Sequence, residues 1–131
     1  MTPRQYKSLA RYVRRVSNDL GLRDWTFDIS HNPSDGVALA QIECIFGRNL
    51  GVMEFCPNWM ALPPETQRHV VVHELLHAAT AGPHGYVYRA LPSLLGEGAW
   101  SAFESAYRQV DELAVDGLAA AIAPTFPVWE G

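Results

Sequence analysis

Eleven residues at 70–80, VVVHELLHAAT, carry the densest chemistry in the chain. His73 and His77 lie four positions apart, so on an α-helix they share a face about one turn from each other and can offer two imidazole nitrogens to a single ion. Glu74 is rotated by about 100° from His73, beside the pair rather than in line with it, where a carboxylate can take a proton from a metal-activated water. The plainer interpretation is a helix that happens to contain two histidines. Three valines before the motif and two leucines inside it weigh against that. Two imidazoles and an acid on so apolar a segment are costly to bury without a partner. The residue types therefore predict a metal centre. His69 extends the stripe, but positions 69 and 77 are two turns, ~11 Å, apart along the axis, so His69 is expected at the periphery.

The elements that must position these groups follow from patterning. Residues 2–20 have helical spacing, with Thr2 as cap, Pro3 in the first turn and Gly21 as the stop, and Leu9, Val13, Val16 and Leu20 form the buried face. DWTFDIS (24–30) alternates, with Trp25, Phe27 and Ile29 on one side, and HNPSDG then signals a turn. VALAQIECIF (37–46) and LGVMEFC (50–56), separated by GRN, predict a hairpin, which makes a sheet of about three strands whose pairing order stays open. Pro64 starts the HELLH helix, expected to run to about Ala81 before Gly82 and Pro83 stop it. Residues 82–97 look irregular. A last helix is expected from about Trp100 to Ala123, with the tail TFPVWEG extended. The fold class is α+β, a small sheet packed against an N-terminal helix, the HELLH helix and a long C-terminal helix.

With 131 residues, the chain suits one domain, 1–131, with any site built inside it. Hydrophobic residues at 48% and charged residues at 18% exclude a disordered chain. No apolar run approaches the ~20 residues of a membrane span and no signal peptide is visible, so the expected location is cytoplasmic, without a membrane partner. Cys44 and Cys56 sit in apolar strand-like segments, outside any CxxC pattern, and are expected as free thiols. The net charge is −4, yet Arg4, Lys7, Arg11, Arg14 and Arg15 crowd the first helix, while Glu97, Glu104, Asp111, Glu112 and Asp116 populate the last third. Such a balance argues against nucleic acid as a partner, and the basic residues read as a solvated helix face.

HELLH resembles the active-site helix of the zincin metallopeptidases, which carry HExxH. The metzincin branch would need glycine at position 80 and histidine at 83, where this chain has Thr80 and Pro83, and His84 comes one place late. The gluzincin branch takes its third ligand, a glutamate, from a later helix, often followed four residues on by an aspartate that orients a ligand histidine. VDELAVDGLAAAIAP offers that pair as Glu112 and Asp116. The same run is similar to the ending of small HExxH proteins of phages and prophages, a likeness that covers most of the chain, although only the two helical motifs are specific. LPSLLGEGAW resembles the stretch in which other gluzincins place the third ligand, so Glu97 stands as the alternative to Glu112, with Glu104, Asp111 and His84 behind them. Tyr86, Tyr88 and Tyr107 are candidates for a hydrogen bond to an oxyanion, against the ordinary role of packing.

The resemblance implies a Zn²⁺-dependent metallopeptidase acting on a peptide or protein substrate. His73, His77 and Glu112 would bind the metal, Glu74 would serve as general base, and Asp116 would orient a histidine. An exposed strand of the sheet could hold an extended peptide by backbone pairing. The alternative is a zinc-stabilised structural or binding module without catalysis, since so short a chain has little material for a cleft. A DNA-associated protease similar to SprT-like proteins is a third reading, suggested by the basic helix and opposed by the lack of a Cys-rich zinc ribbon. The sequence leaves the oligomeric state open.

Overall fold

The computed structural model describes residues 1–45 and 47–131. Helix α1 (Pro3–Asp19) begins as the sequence predicts. Thr2 caps it, its hydroxyl accepting from the Gln5 backbone N–H while the Gln5 side chain accepts from the Thr2 N–H. Leu9, Val13 and Val16 are fully buried beneath it. The chain then forms β1 (Thr26–Ile29), β2 (Ala40–Ile45) and β3 (Leu50–Phe55), a mixed sheet of order β1-β3-β2. β2 and β3 are the expected antiparallel hairpin, with Ile42 opposite Met53 and Cys44 opposite Gly51. β2 starts at Ala40 rather than Val37, which is 92% exposed; the expected end of that strand, Phe46, lies outside the described residues.

β3 is the central strand because β1 pairs with it in parallel, Phe27 opposite Gly51. That leaves β2 at an edge. Gly51 is required there: a Cβ at this position would stand 2.8 Å from the Phe27 ring and 2.9 Å from the Ile42 side chain, which close over it from both neighbouring strands. Met53 and Phe55, on the same face, are buried against the helices.

Helix α2 (Pro64–Ala79) carries the HELLH motif. Pro64 occupies its first turn, where the missing N–H costs nothing. Val70, Val71, Val72, Leu75, Leu76 and Ala78 are buried around nearly its whole circumference, which makes α2 the central element of the core.

Two expectations about the second half are corrected. α2 ends at Ala79 with Thr80 as its cap, and the stretch expected to be irregular is helix α3 (Ala81–Leu95). Gly82 and Pro83 fall in its first turn, among donors that lack intrahelical partners anyway, so they begin a helix as readily as they end one. His84, Val87, Tyr88 and Leu91, at helical spacing, are its half-buried side. Gly96 (φ +78°) makes the left-handed turn out of α3, and α4 (Glu97–Ile122) begins three residues before the expected Trp100. The tail first makes a 3-10 turn at Ala123–Thr125 and then extends. It is anchored at Trp129, whose indole donates to Ser8 Oγ at 3.0 Å, and at Pro127, whose carbonyl accepts from the Tyr12 hydroxyl at 2.8 Å.

Cys44 is half-buried, Cys56 is buried, and both are free thiols as expected. Among the described residues no helix is long and apolar enough to cross a membrane.

Candidate metal centre

α2 and α4 pack side by side, and the polar residues of both meet along the seam. His73 and His77 point their Nε2 atoms at each other, 3.3 Å apart. The carboxylate of Glu112 closes the triangle from α4, with Oε2 3.4 Å from His73 Nε2 and Oε1 3.1 Å from His77 Nε2. A tetrahedral ion with bonds of about 2.0 Å separates its ligand atoms by about 3.3 Å. Three donors of two different helices therefore stand at the edge lengths of one coordination tetrahedron, and the group could hold a metal ion.

The outer nitrogens of the histidines are also engaged. Asp116, one turn beyond Glu112, sets Oδ1 3.4 Å from His73 Nδ1. A carboxylate there accepts the Nδ1 proton and leaves the Nε2 lone pair facing the triangle. Asp111 Oδ2 approaches His77 Nδ1 at 3.8 Å and His84 Nδ1 at 3.7 Å. The sequence predicts for Asp111 no more than a minor ligand or a surface charge; the acidic pair 111–112 in fact straddles the seam, so Glu112 meets the inner nitrogens and Asp111 an outer one. His69 reaches the same Asp116 oxygen at 3.3 Å, and His69, His73 and Asp116 form a second trio with metal-ligating atoms close together. The two trios share His73, and an ion in the second would take the ring nitrogen that faces Asp116, so the more enclosed His73–His77–Glu112 group is the better site.

Glu74 lies beside the triangle without joining it. It is only 8% exposed. Burial above all, with the charge of Glu112 adding to it, pushes its carboxyl up to about 8, and a hydrogen bond from the Ile42 backbone N–H opposes the rise. His77 moves the other way: burial lowers it, while Glu112 and Asp111 pull it back and His73 and His84 add to the depression. Both shifts favour neutral side chains around the triangle, and a neutral imidazole is the ligating form.

A cleft of about 1030 Å³ opens over these groups, with β2 as one wall and His84, Tyr88 and Arg108 on the other side. Residues 39 and 41 of the hairpin face β3, since Leu39 O accepts from Cys56 N and Gln41 is opposite Glu54. By alternation Ala40, Ile42 and Cys44 direct their backbone groups to the free edge, into the cleft. The Ile42 contact to Glu74 is the one feature of the site for which the sequence held no signal. Cys44 shares this wall, its thiol pushed up to about 11 by burial and by Glu74.

The remaining candidates are placed as follows. Glu97 opens α4, fifteen residues and so about 22 Å along the axis from Glu112. Glu104 is occupied by the Tyr88 hydroxyl, which donates to it at 3.1 Å, and by Arg108. Tyr107 packs against His84 and Phe103, and Tyr86 is 65% exposed. Of the three tyrosines only Tyr88 lines the cleft. Comparison of the chain with protein-family models, with curated proteins and with solved structures found no match.

Proposed function

We propose that the chain is a zinc-dependent metallopeptidase of the zincin type, hydrolysing peptide bonds with Glu74 as general base. The observation that carries this reading is the convergence of His73 Nε2, His77 Nε2 and the Glu112 carboxylate at 3.1–3.4 Å from one another, with a fourth, unligated acid beside them. Two imidazoles and one carboxylate are a donor set that suits zinc, and three protein ligands leave one position open. When bound there, zinc supplies a Lewis acid that acidifies water and polarises a carbonyl.

The chain's own residues have the following parts. Glu74, beside the would-be ligands without being one of them, would take the proton of the attacking water and pass it to the leaving amine. Asp116 and Asp111 hold the ligand rings in register. The free edge of β2 offers backbone donors and acceptors to an extended peptide laid along the cleft. Tyr88 and His84, on the opposite wall, are within the same cleft as the scissile bond would be.

A second reading has its own support. α4 buries only Val115 and Ala119 in its 26 residues, so an ion bridging α2 and α4 would also serve as a brace, as in a non-catalytic zinc module. Glu74→Gln distinguishes the two. It keeps size and hydrogen bonding but cannot take a proton, so a peptidase retains its zinc and loses cleavage of an unfolded-peptide library by at least a hundredfold. Wild type that binds zinc and cleaves nothing across such libraries sinks the catalytic reading in favour of the brace.

A further inference from the structure

The histidine stripe of α2 continues past the triangle, and so do the acids of α4. His77, His73 and His69 are each one turn apart on α2, and Glu112 and Asp116 are one turn apart on α4. The two helices run in opposite directions along the seam, because His77 meets Glu112 and Asp111 at one end while His69 meets Asp116 at the other. A step of one turn back along α2 and one turn forward along α4 therefore converts the first trio, His73, His77 and Glu112, into a second of the same kind, His69, His73 and Asp116. Asp116 Oδ1 stands 3.3 Å from His69 Nε2 and 3.4 Å from His73 Nδ1, again the edge lengths of a tetrahedron around one ion.

Two features allow this repeat to be filled while the first trio is filled. His73 turns a different nitrogen to each side, Nε2 toward Glu112 and Nδ1 toward Asp116, so two ions do not compete for one atom. Charge points the same way. Asp111, Glu112 and Asp116 set three carboxylates against the α2 histidines, one more than a single divalent ion neutralises. The two centres lie about one helical turn, ~5–6 Å, apart, too far to share the one water that closely spaced metal pairs activate together. An ion in the second trio is therefore not a co-catalyst.

We infer that the α2–α4 seam holds a second divalent transition-metal ion at His69 Nε2, His73 Nδ1 and Asp116, with the His73 ring bridging it to the first. This rests on the metal centre of the metallopeptidase reading. The second ion takes the place of the His73 Nδ1 proton, which leaves to solvent, and Asp116 changes from acceptor of that proton to ligand. The side chains of His69 and Asp116 are 37% and 64% exposed, so water completes the shell and the second ion is held more weakly than the first. Two imidazole nitrogens and one carboxylate suit zinc and, most strongly, copper(II). When filled, the site ties α4 to α2 a second time, one turn from the first tie.

Zinc titration of the metal-free whole protein against a chromophoric chelator counts the ions, with circular dichroism as the control for folding. Wild type takes one zinc tightly and a second more weakly. His69→Ala, and the milder His69→Gln, lower the affinity for the second by at least about tenfold and leave the first in place. Two Cu²⁺ per chain in the wild type form a magnetically coupled pair, with less electron paramagnetic resonance intensity than two isolated ions, and His69→Ala forms no such pair. A wild type that stops at one tight zinc up to about a millimolar overturns the second site and leaves the metallopeptidase reading standing. One that binds no zinc tightly overturns both. A second zinc indifferent to both His69 variants, or two bound Cu²⁺ with full uncoupled intensity, overturns the inference as well.

Discussion

α2 and α4 meet at the triangle of His73, His77 and Glu112 but are held in opposite ways. Eight of the sixteen residues of α2 are buried, Glu74 among them, against two of twenty-six in α4. α2 is fixed by the sheet, by α1 and by the chain's tail, with Gln67 donating to the Trp59 carbonyl at 2.7 Å and Arg68 to the Phe126 carbonyl at 3.1 Å. α4 contributes Val115 and Ala119 to the core and sets Asp111, Glu112 and Asp116 against the α2 histidines. The candidate centre would therefore draw two donors and its acid from a deeply buried helix, and its carboxylates from one with far fewer buried residues. Local stability follows burial, so a ligand that bridges the two elements should change the weaker one more.

The largest effects should come from the α2 ligands. Replacing His73 or His77 by alanine removes one of three donors from the rigid side and should lower zinc affinity by more than a hundredfold, measured by competition with a chromophoric chelator. Retention of one tightly held zinc per chain by both variants would move the site elsewhere. On α4, Glu112→Ala should weaken zinc nearly as much, while Glu97→Ala, at the far end of the helix, leaves it unchanged. The opposite ranking would contradict the α2–α4 seam as the site. Asp116→Asn should weaken zinc by a smaller factor, about 10–100-fold, because it disturbs the orientation of His73 without removing a ligand.

The contrast also sharpens with the metal removed. Zinc binding should protect the backbone amides of α4 against hydrogen exchange far more than those of α2, because α2 is already closed by its own packing. Equal protection of both helices would show that α4 is held by forces other than the site.

The same division explains what could be read from sequence. Where one residue type has one physical consequence, the reading held: Thr2 and Pro3 start α1, GRN turns β2 into β3, and Pro64 opens α2. Gly82 and Pro83 have two consequences. They can stop a helix or begin one, and the pattern His84, Val87, Tyr88, Leu91 that marks α3 is diluted because no residue of that helix is fully buried. The parallel pairing of β1 with β3 depends on which strand shields Gly51, a fact of three strands at once. At the site the HELLH spacing points to His73, Glu74 and His77, since helical periodicity translates directly into shared faces; Glu112 and Asp116 enter only through the resemblance to gluzincins, with Glu97 as the alternative, and the structure brings both of them to the two histidines. The contacts made across elements, Asp111 to His77 and the Ile42 backbone to Glu74, depend on the packing angle of α4 and on the register of β2, and no spacing within one segment encodes either.

The smallest expected effect concerns the metal-free protein and isolates the cost of burying an acid in the core. Glu74 has an ordinary value of 4.5 and is held up to about 8 in the fold, so between those limits the folded chain binds more protons than the unfolded one. Stability then falls as pH rises from about 4.5 to about 8, and levels off above. His77 acts with the opposite sign. Its depressed value means that the unfolded chain binds more protons below about 6.5, so stability contributed there grows as pH rises toward that value. Below about 6.5 the two trends oppose each other; between about 6.5 and 8 only the loss from Glu74 remains. Glu74→Gln abolishes that loss, and at pH 8 the metal-free variant should exceed wild type by roughly 1–3 kcal/mol, the usual scale for a buried polar group that lacks full compensation. Urea unfolding in the presence of a chelator, at several pH values from 5 to 9, measures both curves. Parallel curves for wild type and Glu74→Gln above pH 6.5 would mean that Glu74 is already ionised in the fold, solvated through the cleft, and that its base strength owes nothing to burial.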